Sequence, residues 1–138
     1  MFITDEDYTV VIGPDALKIL SQASPENRRN AEMRAIEEIS GYLRPVYDCN
    51  RTFATVGEDR NAYLVMITVD IALYHMTASL PGKMGLDIRK PRYEQAIEWL
   101  KSVQNGTVTP DLPLIESADG SESFSAIFSS APKLNHIW

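Results

Sequence analysis

The stretch "VDIALYHM", Val69 to Met76, sets an aspartate and a histidine inside one of the most apolar runs of the chain. Its reading decides the fold. The segment reads as one helix from Ala62 to about Leu80, where Pro81 and Gly82 stop it. At about 100° per residue, Asp70 and His75 point about 140° apart on such a helix. One rigid helix therefore cannot bring them together as a catalytic dyad. Asp70 aligns instead with Thr77, and Thr68 with His75, as two narrow polar strips on nearly opposite sides. The remaining surface is Leu, Val, Met, Ile and Tyr. A helix of this kind is packed on both flanks, so it is expected to be the central helix of a bundle.

A carboxylate buried on such a helix needs partners, because an isolated buried charge is very costly. The reading pairs Asp70 with Arg92 first and with Arg44 second, both at the ends of flanking helices. His75 is expected as a hydrogen-bonded core or interface histidine. The same run, Tyr63 to Leu80, is long enough to cross a membrane, but a central Asp costs roughly 3 kcal/mol there. A buried helix is the expectation, with no membrane partner.

Outward from this helix, further helical segments come into view. "TDEDYTVVIG" has Thr4 as a cap, Asp7 three residues on, and Gly13 as its stop. Pro14 then suits the first turn of a second short helix carrying Leu17, Ile19 and Leu20. "SPENRRNAEMRAIEEISGYLRP" is the strongest helical segment, capped by Ser24 and ended by Pro45. Its apolar face is Ala35, Ile36, Ile39 and Leu43. "KPRYEQAIEWLKSVQNG" is the last, with Pro91 in its first turn and Asn105-Gly106 as its C-terminal cap. Residues 45 to 61 show no helical period and read as a long inter-helix loop, either a contact loop or an irregular connection packed by Val46, Tyr47 and Phe53.

After Gly106 the composition shifts toward Pro and Ser. Phe124, Ala126 and Phe128 alternate with Ser123, Ser125 and Ile127, a short strand signal. The expected architecture is therefore all-α: a small bundle of about four to five helices with a long loop and an extended C-terminal arm. Residues 1–106 form the helical domain and 107–138 the arm. Tyr47, Phe53, Phe124, Phe128 and Trp138 are the candidate subunit or partner contacts. The strand-like run is expected to dock on residues 45 to 61 of a neighbouring subunit, or to fold back on its own bundle.

Composition narrows the function classes. A chain of 138 residues with 44% hydrophobic residues can bury a real core. A formal net charge of −6 argues against gripping a phosphate backbone, which needs clustered Lys and Arg. Cys49 is the single cysteine, so no intrachain disulfide or multi-cysteine zinc site is possible. No basic, apolar leader pattern opens the sequence. "LPGKMG" is not a phosphate-binding loop, because Thr77 holds the place of its first glycine and Met84 follows the lysine. HExxH, CxxC and GxSxG patterns are absent from the sequence. The expectation is no catalytic residue, no cofactor and no metal: not an enzyme.

With these pieces in order, the chain resembles the gp36-like family of Mu-like phages and prophages. The pieces that carry it are "FITDEDYTVVIGPDALKIL", "EISGYLRPVYD", "VDIALYHM" and "RYEQAIEWLKSVQNG". The match spans roughly residues 2 to 106, with a weaker echo in "FSSAPKLNHIW". Val46 departs from it, standing where an arginine is expected after "YLRP". The resemblance implies relation to all-helical head–tail connector, or adaptor, proteins. It implies a homo-oligomeric ring joining portal and tail-completion proteins. Double-stranded DNA would pass through without specific binding. The expected location is the virion, with assembly in the host bacterial cytoplasm. The alternative is a small helical protein-binding or regulatory module of a prophage, non-enzymatic.

Overall fold

A computed structural model describes residues 1–23, 25–79 and 85–116. Six helices occupy these residues: α1 (Asp5–Ile12), α2 (Pro14–Ala23), α3 (Pro25–Leu43), α4 (Cys49–Ala54), α5 (Ala62–Ala78) and α6 (Leu86–Gln104). The fold is all-α. Among the described residues the extended pairing is one isolated antiparallel bridge, between Tyr47 and Leu114.

Helix α5 is central. It packs against both α3 and α6, which also touch one another, and α1 lies across it. Leu64, Ile67, Val69, Ile71, Leu73 and Met76 are buried: Leu64, Ile67 and Ile71 point to one side of the helix and Val69, Leu73 and Met76 to the opposite side. Its buried hydroxyls are satisfied within the helix: Thr68 donates to the Leu64 carbonyl at 2.7 Å and Thr77 to the Leu73 carbonyl at 3.0 Å. Asn61 caps the helix by accepting from the Leu64 N–H at 3.0 Å.

The entry segment folds as its cap residues dictate. Thr4 and Asp7 form a reciprocal capping box at the start of α1, and Gly13 ends it with φ +81°. A buried network then ties α1 to α3. The Tyr8 hydroxyl donates to Glu32 Oε1 at 2.9 Å, Arg28 Nε donates to the same oxygen at 3.0 Å, and the Arg28 guanidinium lies over the Tyr8 ring. Burial and the Glu32 charge hold the Tyr8 hydroxyl far above its ordinary pKa.

Two segments differ from the sequence expectation. The long loop at 45–61 is not structureless: Asp48 accepts from the Arg51 N–H and starts α4, and Gly57–Asp59 makes one 3₁₀ turn before α5. Six residues are too few to show a helical period, so α4 is the sixth helix that periodicity missed. Helix α6 begins at Leu86, after Gly85 at φ +80°, and Pro91 therefore sits inside it rather than in its first turn. A proline that early in the helix leaves only the Asp87 carbonyl without its helical donor.

At its far end α6 closes in a Schellman arrangement. The Gly106 N–H donates to the Val103 carbonyl and the Thr107 N–H to the Ser102 carbonyl, with Gly106 at φ +83°. Residues 107–116 then run back over the bundle. Val108, Leu112 and Leu114 pack against the core.

Candidate functional site

Three features collect the functional groups of the described residues: the Asp70 ion pair, a polar cluster around Glu38, and the connector between α3 and α5.

Asp70 is 3% exposed, and Arg92 reaches it from the first turns of α6. Arg92 Nε lies 3.3 Å from each carboxylate oxygen and Nη2 lies 3.2 Å from Oδ2. Burial pushes the Asp70 carboxyl above its ordinary value, while the Arg92 hydrogen bond and the charges of Arg92 and Arg89 pull it down without cancelling the rise. Arg44, the second candidate, is not brought to Asp70. Its guanidinium turns outward and binds Glu37 of α3 at 2.8 Å, with both side chains more than half exposed. Arg44 follows the last turn of α3, and a long side chain there meets an acid one helical flank away more easily than one in the core.

One side of α5 carries the second cluster. His75 Nε2 lies 2.9 Å from Glu38 Oε1, and the Tyr93 hydroxyl donates to Glu38 Oε2. The Tyr93 ring stacks on Tyr74, 4.1 Å between centroids, and His75 meets both rings edge-on. The His75 bond is the main reason the Glu38 carboxyl sits below its ordinary value, with Tyr93 adding to it against burial. Burial, with the Glu38 carboxylate, holds the Tyr93 hydroxyl well above its own. One carboxylate thus binds α3 to α5 and α6 together. His75 is a hydrogen-bonded, half-buried side chain at this three-helix junction. Asp70 takes no part in it.

The connector gathers the chain's two flanks. Arg60 donates to Asp7 Oδ2 at 2.6 Å and to the Phe2 carbonyl at 2.7 Å. Burial raises the Asp7 carboxyl, but the bonds from Arg60 and Thr4 outweigh it and leave the group below its ordinary value. From the other flank, the Asp48 N–H donates to the Pro113 carbonyl at 2.8 Å and the Ile115 N–H to the Val46 carbonyl at 3.1 Å. Tyr47 is buried, and Phe53 packs edge-on against Phe2 at 4.9 Å. Tyr47 therefore faces inward, and Phe53 is partly buried against the core. The edge at 46–48 is paired with residues 113–115 of the same chain. Phe124, Phe128 and Trp138, and with them the predicted strand, lie outside the described residues.

Cys49 is half-buried, and burial pushes its thiol up. Among the described residues no group of three His, Cys, Asp or Glu is placed to hold a metal ion. No helix among them is long and apolar enough to cross a membrane. Sequence reasoning missed Glu32 and Glu38, which look like ordinary surface acids until Tyr8, His75 and Tyr93 arrive from other helices, and it read Asp7 as a cap without its bond to Arg60.

The family model described as Bacteriophage Mu, Gp36 matches residues 2–126. The chain belongs to the Bacteriophage Mu Gp36 family. The match runs past the end of α6 and past the segment that returns to Val46, so the packed unit described above lies within the family's own span. No curated protein and no solved structure matches the chain.

Proposed function

We propose that this member of the phage Mu Gp36 family is a head–tail connector (adaptor) subunit, non-enzymatic, that joins a homo-oligomeric ring between portal and tail-completion proteins. In this reading it is assembled in the host cytoplasm and carried in the virion. The observation that supports it best is how the buried ionisable groups are used. Glu32, Asp70 and Glu38 each join separate helices, so they serve the rigidity of a building block. The net charge of −6 suits a channel wall past which DNA slides without being held.

Size-exclusion chromatography with light scattering, run across concentrations and again with portal-bearing heads, tests the reading. Rings in solution, or binding to the heads, is the expected result. A monomer at every concentration that also ignores portal-bearing heads would refute it. Capture by a host or prophage regulator in place of heads would favour the regulatory module.

A further inference from the structure

An apolar groove opens at the end of the bundle opposite the 46–48 edge. Val11, Ile12 and Leu20 of the two entry helices form one wall, with Leu73 of α5 and Ile88 of α6 facing them, around a volume of about 690 Å³. At its rim Ile19 and Ile88 are 68% and 62% exposed. Exposed apolar groups this close together are unusual on a small monomer with nothing to cover them. Arg89 also lines the groove, and its Nη1 is buried with no hydrogen-bond partner. A buried donor left unbonded is costly, so this wall calls for an acceptor as well as for apolar surface.

The chain carries a segment of matching chemistry. In an extended run, alternate residues share a face, which sets Glu122, Phe124, Ala126 and Phe128 on one side of "ESFSAIF". One acid leads two aromatic rings. Reach is sufficient. Residues 111–115 lie beside the start of α5, where the Asn61 amide donates to the Asp111 carbonyl. Thr77, at the other end of α5, lines the groove. The helix between rises roughly 23 Å at 1.5 Å per residue. Extended chain covers about 3.3 Å per residue, so some seven residues beyond Glu116 bring the run to the groove.

We propose that residues 122–128 seat in this groove on their own bundle, with Glu122 accepting from Arg89 and Phe124 and Phe128 against the apolar wall. The 46–48 edge is already paired with residues 113–115, and among the described residues the groove is an open apolar surface that suits the run. The inference does not depend on the connector reading and holds for the free protein.

The test is a cysteine pair in the full chain that keeps Phe124 and Phe128 in place: Ile88→Cys with Ala126→Cys and Cys49→Ser, oxidised in dilute solution. An intramolecular disulfide is expected. Dimers alone would place the run on a second copy, and no disulfide would leave the groove unfilled; either result overturns the proposal. Ile88 is exposed, so the substitution spares the core, and circular dichroism verifies the fold. Ala126→Cys with native Cys49 is the companion variant, and a Cys49 bridge there, marking docking near α4, counts equally against it. Adding Glu122→Lys to the first pair should cut the rate of disulfide formation roughly five- to tenfold at low salt, the scale of a reversed charge-assisted bond. An unchanged rate removes the Arg89 contact and with it the proposed register.

Discussion

Asp70 and Arg92 form an ion pair whose two halves stand in different media: the aspartate side chain is 4% exposed and the arginine side chain 44%. Removing one half is therefore not equivalent to removing the other. Without Asp70, Arg92 can turn to water. Without Arg92, the carboxylate stays buried.

The first prediction follows from that asymmetry. Arg92→Ala should destabilise the bundle by roughly 1–3 kcal/mol, the cost of a buried polar group losing its main partner. Asp70→Asn should cost less, because the amide carries no charge to desolvate. Chemical denaturation of both variants decides it. A larger loss for Asp70→Asn would mean that attraction, not burial, governs the site.

Tyr8→Phe isolates a single buried hydrogen bond. It leaves the ring in place beneath Arg28 and takes one donor from Glu32, which is 3% exposed. A loss of about 1–2 kcal/mol is expected. Tyr8→Phe paired with Glu32→Gln should be less than additive, and a thermodynamic cycle measures the coupling. Strict additivity would show that the two side chains do not interact.

Stability should fall on both sides of neutral pH, for different groups. Asp7 and Glu38 have lowered values, so their contributions are complete above the ordinary 3.8 and 4.5 and are lost as pH falls below them. Asp70, with a raised value, acts in the opposite sense and softens the acid limb. Tyr8 and Tyr93 are raised above 10.0, so the fold favours their protonated forms. That contribution is complete below pH 10 and is lost as pH rises beyond it. Tyrosinate absorbance should show these two ionising only with unfolding, and separate titration of all six tyrosines in the folded state would contradict it.

Chain length gives the fourth expectation. Ending the chain after Gly106 removes Val108, Leu112 and Leu114 from the core and two backbone bonds from the connector. Relative to a chain ended after Glu116, it should lose roughly 3 kcal/mol, about one per half-buried side chain. Equal denaturation midpoints would show the return segment to be ornamental.

What was legible in the sequence was what is local. The apolar surround of α5, the Thr4 box and the Gly106 cap are written within a few residues, and each is found in the structure. Arg92 was reachable because a buried acid must be met and few arginines flank α5. Arg44 was not separable from it by sequence, since its choice of Glu37 depends on which way one exposed side chain turns. Helix α4 was hidden by its length, and the start of α6 by Pro91, which would also fit a first turn. Glu32 and Glu38 were illegible for another reason. Their partners on other helices lie 24 to 55 positions away, and hydropathy cannot see a hydroxyl or an imidazole arriving from there.

The connector between α3 and α5 is clasped from both chain flanks, and this orders events in time. Arg60 waits for the Phe2 carbonyl 58 positions behind it, while Asn61 waits for Asp111, 50 positions ahead. During synthesis the earlier partner is already present, but the later one leaves the ribosome only after all of α6. Until α6 emerges, the face of α5 that α6 covers has nothing packed on it. The last ten described residues are therefore the last of these partners to arrive, and they close over a connector that Arg60 already ties to the N-terminal flank.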